Sequence, residues 1–235
     1  MFFLLKKPPA VLAKLGPPSK PISPFPGRIF CVHQPAVFGS IPHMKKSLGP
    51  KPIIFPTPVF IVGTYDADGK PNVAAVSWGG ICSSDPPCVA ISLRKVTHTY
   101  ANLMAQKAFT VSIPSHTQVR EADFFGLISG KSMDKFARAK LTAVKGTKVN
   151  APYVKEFPLV LECKVRQVVE IGLHVQFIGE VQDLKADEES LNPNGYPDIK
   201  KVNPLIFDPA THSYYNIGMF VADAFSIGES LAKGH

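Results

Sequence analysis

From Pro58 onward the chain breaks into short runs of β-branched and aromatic residues separated by turn signals, and this pattern constrains its fold more than any other feature. Such side chains lose freedom on a helix but pack well on a pleated sheet. Residues 59–65 form the first run, and Asp66-Ala67-Asp68-Gly69-Lys70 supplies hairpin-turn chemistry after it. Residues 72–78 return as a second strand, and Pro86-Pro87 precede a third at 88–93. Further strands are predicted at 109–113, 159–169 and 174–181, with a short last one at 213–217. A helical stretch covers 100–107, with Thr97 or Thr99 as its N-cap. Residues 117–128 read as an amphipathic helix ending near Gly126 or Gly130, and 192–197 as loop. Many strands, tight turns and few peripheral helices predict a mainly β fold, an antiparallel barrel. No internal repeat is present.

A chain of 235 residues, 45% hydrophobic, can bury a core without disulfides or structural metal. Its net charge of +8 points at first to an acidic partner. The distribution argues otherwise. Lys6, Lys7, Lys14, Lys20 and Arg28 stand before Met44 with no acidic residue among them. Pro8, Pro9, Pro17, Pro18, Pro21, Pro24, Pro26, Pro35 and Pro42 crowd the same stretch, which therefore cannot hold a helix and donates few ladder bonds. Residues 1–43 read as a disordered or loosely attached extension: an upstream read-in, an expression remnant or a non-functional leader. Met44-Lys45-Lys46 looks like a natural start, and 44–235 is the expected domain. Without a dense basic face the chain is not expected to bind nucleic acid. Cys31, Cys82, Cys88 and Cys163 form neither a C-x-x-C pair nor a zinc pattern, which fits a reduced, cytoplasmic setting and no metal. No apolar run reaches the length of about 18 residues that a membrane helix requires. Lys6-Lys7-Pro8-Pro9 cuts off the apolar start too early for a signal peptide.

The segment Ser92-Leu93-Arg94-Lys95-Val96-Thr97-His98-Thr99 carries the chemistry. An apolar strand ends, two cations follow, and hydroxyls open a helix. A phosphate monoester is matched by such groups: the planar fork of Arg, the point charge of Lys, hydroxyl donors and the free N–H groups of a helix start. The same residues are also compatible with an ordinary strand-to-helix loop capped by Thr. No P-loop or Rossmann fingerprint occurs.

Three further motifs bear on that choice. They are 72–78 followed by Cys82-Ser83-Ser84-Asp85-Pro86-Pro87; Ser129-Gly130-Lys131-Ser132-Met133-Asp134-Lys135-Phe136; and Glu170-Ile171-Gly172-Leu173-His174 with Phe177-Ile178-Gly179-Glu180-Val181. Together with 94–99 they resemble the flavin reductase-like, FMN-binding split-barrel family, in its flavoredoxin branch. The resemblance runs from about residue 50 to 218 in the right order. It implies an antiparallel Greek-key split barrel, a homodimer, and FMN near the subunit interface. Carried over, Asn72 and Trp78 would lie beside the isoalloxazine, with Ser77 and the Cys82-Ser83 backbone along its polar edge. Ser92, Arg94, Lys95, Thr97 and Thr99 would hold ribityl and phosphate. Lys135 and His174 would approach the flavin or phosphate, and Phe207 would cover the ring. Gly79-Gly80 would leave space beside Trp78. The extension before Met44 has no counterpart in the family pattern.

Each residue also has a plainer reading: Trp78 and Cys82 as core, Asn72 as a turn residue, Lys135 as part of a solvated charged face, His174 as a strand-end histidine, Phe207 as a hydrophobic strap. Two functions remain open. One is an oxidoreductase passing electrons from NAD(P)H through FMN to a flavin, ferric or protein acceptor. The other is a flavoredoxin-type carrier served by a redox partner protein. A non-flavin barrel binding single strands would need aromatics spaced through a basic groove, which this chain lacks.

Overall fold

The computed structural model describes residues 44–232; the Pro-rich stretch 1–43 lies outside the described residues. From Pro52 onward they form one compact unit. Its first elements are β1 (Thr57–Pro58), β2 (Phe60–Tyr65), β3 (Pro71–Val76), β4 (Gly79–Ser84) and β5 (Pro87–Arg94). Then come α1 (His98–Gln106), β6 (Ala108–Ile113), α2 (Val119–Leu127), α3 (Lys135–Ala139), β7 (Ala143–Lys145) and β8 (Pro152–Val154). Two long strands follow, β9 (Leu159–Ile171) and β10 (His174–Ala186), then α4 (Ile199–Val202), β11 (Ile206–Asp208), β12 (Ser213–Tyr215) and α5 (Glu229–Ala232).

Seven strands make one sheet in the order β3-β2-β6-β9-β10-β5-β4, every pairing antiparallel. β5 pairs on one side with its hairpin partner β4 and on the other with β10, far along the chain, so that Arg94 faces His174 and Cys88 faces Glu180. These long returns give the Greek-key course of a split barrel. β10 shows how sequence alternation becomes a barrel wall: Val175, Phe177 and Gly179 are buried, and the residues between them are half-buried. Gly179 cannot be larger, because a Cβ there would stand 2.4 Å from the Phe109 ring that fills the interior.

β2 is buried on both faces. Val62 belongs to the barrel core with Val89, Ile91, Phe109 and Phe177. Its neighbour Ile61 belongs to a second core with Val73, Phe125, Phe136, Phe157 and Phe207. This explains the near-continuous apolar run at the start of β2, which a strand wetted on one side would not show. β4, the β7–β8 hairpin and α3 were not legible in the sequence. β4 consists of two glycines, two serines, Ile81 and Cys82, and it is a strand because β5 offers it a partner.

One buried charge pins the barrel's lower edge. The Glu162 carboxylate is fully buried, yet it accepts backbone N–H groups from Thr147 (3.0 Å), Lys148 (2.6 Å) and Val149 (3.1 Å). Lys185 Nζ lies 2.7 Å away and is itself paired with Asp183. Burial alone would raise this carboxyl's pKa; Lys185 and the three N–H groups hold it down to about 2. Being depressed from 4.5, the group contributes stability fully present above that value and lost as pH falls through about 2. Glu162→Gln should lower unfolding free energy at pH 7 by about 3 kcal/mol, since it leaves buried donors and Lys185 without their anion. Urea denaturation measures this, and a variant as stable as the parent would show that the latch contributes nothing.

Candidate functional site

The residues expected around a phosphate meet where β5 ends, α1 begins and β10 begins. Ser92 and Arg94 close β5, Lys95 and Val96 turn the chain, and Thr97 caps α1. Thr97 Oγ1 accepts the N–H of Tyr100 at 3.2 Å and donates to the Arg94 carbonyl at 2.9 Å. Its own N–H goes to the same carbonyl at 3.0 Å. The hydroxyl is thereby committed to shaping the helix start. In a capped first turn the next two N–H groups, here those of His98 and Thr99, have no intrahelical acceptor. The helix dipole adds partial positive charge at the same place. The chemistry of the corner is therefore two N–H groups without intrahelical acceptors beside the cations of Arg94 and Lys95, a donor set that fits a phosphate monoester.

Lys95 Nζ is 2.9 Å from the Glu170 carboxylate on β9, and this bond raises the lysine's pKa, keeping it charged. His174 sits directly opposite Arg94 in the ladder. Burial, and then the charge of Arg94, push its ring below the usual imidazole range, which favours the neutral form.

Thr99 and Asn72 are brought together, though behind α1. Thr99 is 2% exposed, and its Oγ1 accepts Asn72 Nδ2 at 3.1 Å. Asn72 also reaches Thr64 Oγ1 at 3.5 Å, and Asn102 Nδ2 donates to that oxygen at 3.1 Å. The Asn72 Oδ1 atom is buried with no hydrogen-bond partner among the described residues. It lies under Gly130, where a Cβ would stand 1.9 Å from it. Asn72 thus faces the helix rather than an open surface. Thr64 and Asn102 escaped sequence reading, although a polar residue at Thr64, inside the apolar β2, was the available signal.

Trp78 is joined to the anion corner through its backbone: its carbonyl accepts the Ser92 N–H at 2.8 Å. Ser77 and Trp78 form the half-exposed corner between β3 and β4. Gly80 leaves room there, with nothing within 4 Å of an added Cβ. Gly79 does not; its Cβ would stand 2.7 Å from the Ala90 carbonyl. Cys82 and Ser83 follow on the sheet-edge strand β4, where a register shift marks a bulge. The Cys82 thiol donates to the Cys88 carbonyl at 3.5 Å. Burial, then Cys88, raise its pKa, so it is not a ready thiolate.

Two expected residues are not brought to this corner by their side chains. Phe207 is 5% exposed in the second core, beside Tyr214 and His212. Lys135 is 4% exposed, and its Nζ donates to the carbonyls of Val73 at 2.7 Å and Phe125 at 2.8 Å. It ties α3 to β3 and to the last turn of α2, which sequence reading could not tell from a solvated charge. Desolvation lowers its pKa from 10.5 to about 8. A base whose folded pKa is lowered leaves the unfolded chain holding more protons across that interval, so this group makes stability rise with pH there. The difference in stability between the parent and Lys135→Met should therefore change with pH between about 8 and 10.5. Chemical denaturation across that range checks it, and a constant difference would contradict the burial.

Among the described residues no cluster of His, Cys, Asp or Glu could hold a metal ion, and no helix is long and apolar enough to cross a membrane. Comparison with known proteins matches residues 53–214 to the flavin reductase like domain. The flavoredoxin of Desulfovibrio vulgaris (Miyazaki F) is 52% identical with a TM-score of 0.76, over 79% of this chain and 100% of that one. The flavoredoxin of Methanosarcina acetivorans is 30% identical with a TM-score of 0.75, over 80% and 100%. A high molecular weight rubredoxin of Moorella thermoacetica is 34% identical over 43% of this chain and 44% of that protein. The chain belongs to the flavin reductase-like split-barrel family, as a flavin-binding protein of its flavoredoxin branch.

Proposed function

We propose that the flavin is FMN, anchored by its phosphate at the corner of β5 and α1, and that the chain is an oxidoreductase passing electrons from NAD(P)H to a flavin, ferric or protein acceptor. The observation that carries the anchor is the capped start of α1: Thr97 is committed to the helix, and the N–H groups of His98 and Thr99, which have no intrahelical acceptor, lie next to Arg94 and Lys95 in the chain. FMN, when bound, supplies the electron chemistry, and the protein supplies position and electrostatics.

The chain's own residues divide that work. Arg94 and Lys95 neutralise the phosphate, and Glu170 holds Lys95 at the rim until an anion competes for it. Trp78, Ser77 and the backbone of Cys82-Ser83 would line the ring, with Gly80 giving clearance. His174, set against Arg94, would face the ribityl side as a neutral donor or acceptor. The family resemblance carries a homodimer too, and Ile171 and Leu173 stand exposed at the tip of the β9–β10 hairpin, 54% and 61%, which supports a covered face there.

A carrier without its own NAD(P)H turnover is the second reading. The match to flavoredoxins over their whole length favours it, as does the likeness to part of a rubredoxin. Anaerobic mixing with NADH and NADPH separates the two. Steady bleaching of the flavin band near 450 nm, followed by turnover with an acceptor, supports the enzyme; bleaching only by a reduced partner protein supports the carrier. The anchor is tested apart from either. Arg94→Ala should weaken FMN binding by about 1.5–3 kcal/mol, the contribution of a charge-assisted bond. Riboflavin, which lacks the phosphate, should bind both proteins alike, and unchanged FMN affinity would refute the anchor.

A further inference from the structure

The first turn of α1 is held from behind by residues of the β2–β3 hairpin. Asp66, just beyond β2, reaches both ends of the helix. Its carboxylate Oδ2 faces His98 Nε2 at 3.9 Å, and its carbonyl accepts Gln106 Nε2 at 3.2 Å. The other carboxylate oxygen is fixed by the turn, accepting the N–H groups of Asp68 at 3.0 Å and Lys70 at 2.8 Å. Two residues earlier, on the same face of the strand, Thr64 Oγ1 accepts Asn102 and Asn72, and Asn72 passes on to Thr99. Thr64, Asn72, Thr99 and Asn102 are all at least 95% buried. Asn102 stands one helical turn beyond both His98 and Thr99, on the side these residues grip.

We propose that Thr64 and Asn102 are positioning residues for the phosphate anchor: they fix the helix start so that the N–H groups of His98 and Thr99 meet the anion between Arg94 and Lys95. This rests on the anchor proposed above. The geometry makes it specific. A buried side-chain bond lost here leaves a polar partner unsatisfied, so the turn must shift or fray, and only a ligand group that uses the turn feels the change. The acidic turn residue bears on His98. Charged groups facing His98 are Asp66 from the hairpin and Lys131 and Lys135 from the segment after α2; burial first, then the two lysines, lower its pKa against the pull of Asp66. Asp66 is held in the turn by two N–H donors, its second oxygen turned toward His98.

The test uses the full chain, stripped of flavin, with FMN and riboflavin as separate probes. Asn102→Leu keeps the side-chain volume and removes the donor to Thr64; Thr64→Val keeps the branched shape and removes the oxygen that accepts from Asn102 and Asn72. Each should raise the Kd for FMN about tenfold, the equivalent of one neutral hydrogen bond, and leave the Kd for riboflavin within twofold. Unchanged FMN affinity in both variants overturns the proposal. Equal losses for FMN and riboflavin overturn it as well, because they mark a general loss of structure. A parent protein that does not prefer FMN to riboflavin would instead refute the anchor itself, and this role with it; a parent that does, with variants that match it, refutes the positioning role alone.

Discussion

The arrangement depends on a short chain of buried hydrogen bonds, Asn102 to Thr64, Thr64 from Asn72, and Asn72 to Thr99, that joins α1 to the β2–β3 hairpin. Apolar contacts could hold the helix against the sheet, but they are non-directional and would tolerate sliding or rotation. Hydrogen bonds between buried side chains tolerate neither, since a slip leaves polar groups without partners in a low-dielectric interior. The helix start is therefore set relative to the β2–β3 hairpin, and the bonds of Thr97 to the Arg94 carbonyl tie it to β5.

Around that fixed point the polar residues separate into those that shape and those that face out. Thr97 and Thr99 spend their hydroxyls on the helix and its attachment, so hydroxyl chemistry gives way to backbone N–H groups at the front. Lys135, a cation by sequence, spends two donors on the carbonyls of Val73 and Phe125 and acts as a brace between α2, α3 and β3. Glu162 does the same with opposite sign below the barrel. Arg94 and Lys95 remain beside the helix start, where charge would count for binding.

Much of this was legible in the sequence. Runs of β-branched and aromatic residues located β2, β3, β5, β6, β9 and β10, near-continuous where a strand is buried on both faces, as in β2, and alternating where one face is, as in β10. The cations before α1 were also visible, and its cap was narrowed to Thr97 or Thr99, of which the structure uses Thr97. What sequence could not show was set by tertiary partners. β4 is too rich in glycine and serine to declare itself and becomes a strand only against β5. Lys135 reads as a surface charge until two carbonyls are found at its tip. The place of Phe207 in the second core, beside Tyr214, likewise depends on partners distant in the chain. Asp66 and Asn102 look like turn and helix-surface residues, and only the fold brings them onto Thr64, His98 and Gln106.

The central claim, that the start of α1 with Arg94 and Lys95 holds the phosphate of FMN, is tested most directly by phosphorus NMR of the bound cofactor across pH. Free FMN changes from monoanion to dianion with a pKa near 6, roughly that of other phosphate monoesters. A phosphate held by two N–H groups and two cations should stay dianionic, so its resonance should not move between about pH 5 and 8. A bound resonance that titrates as free FMN does would mean the phosphate is solvated, and would place the anchor elsewhere.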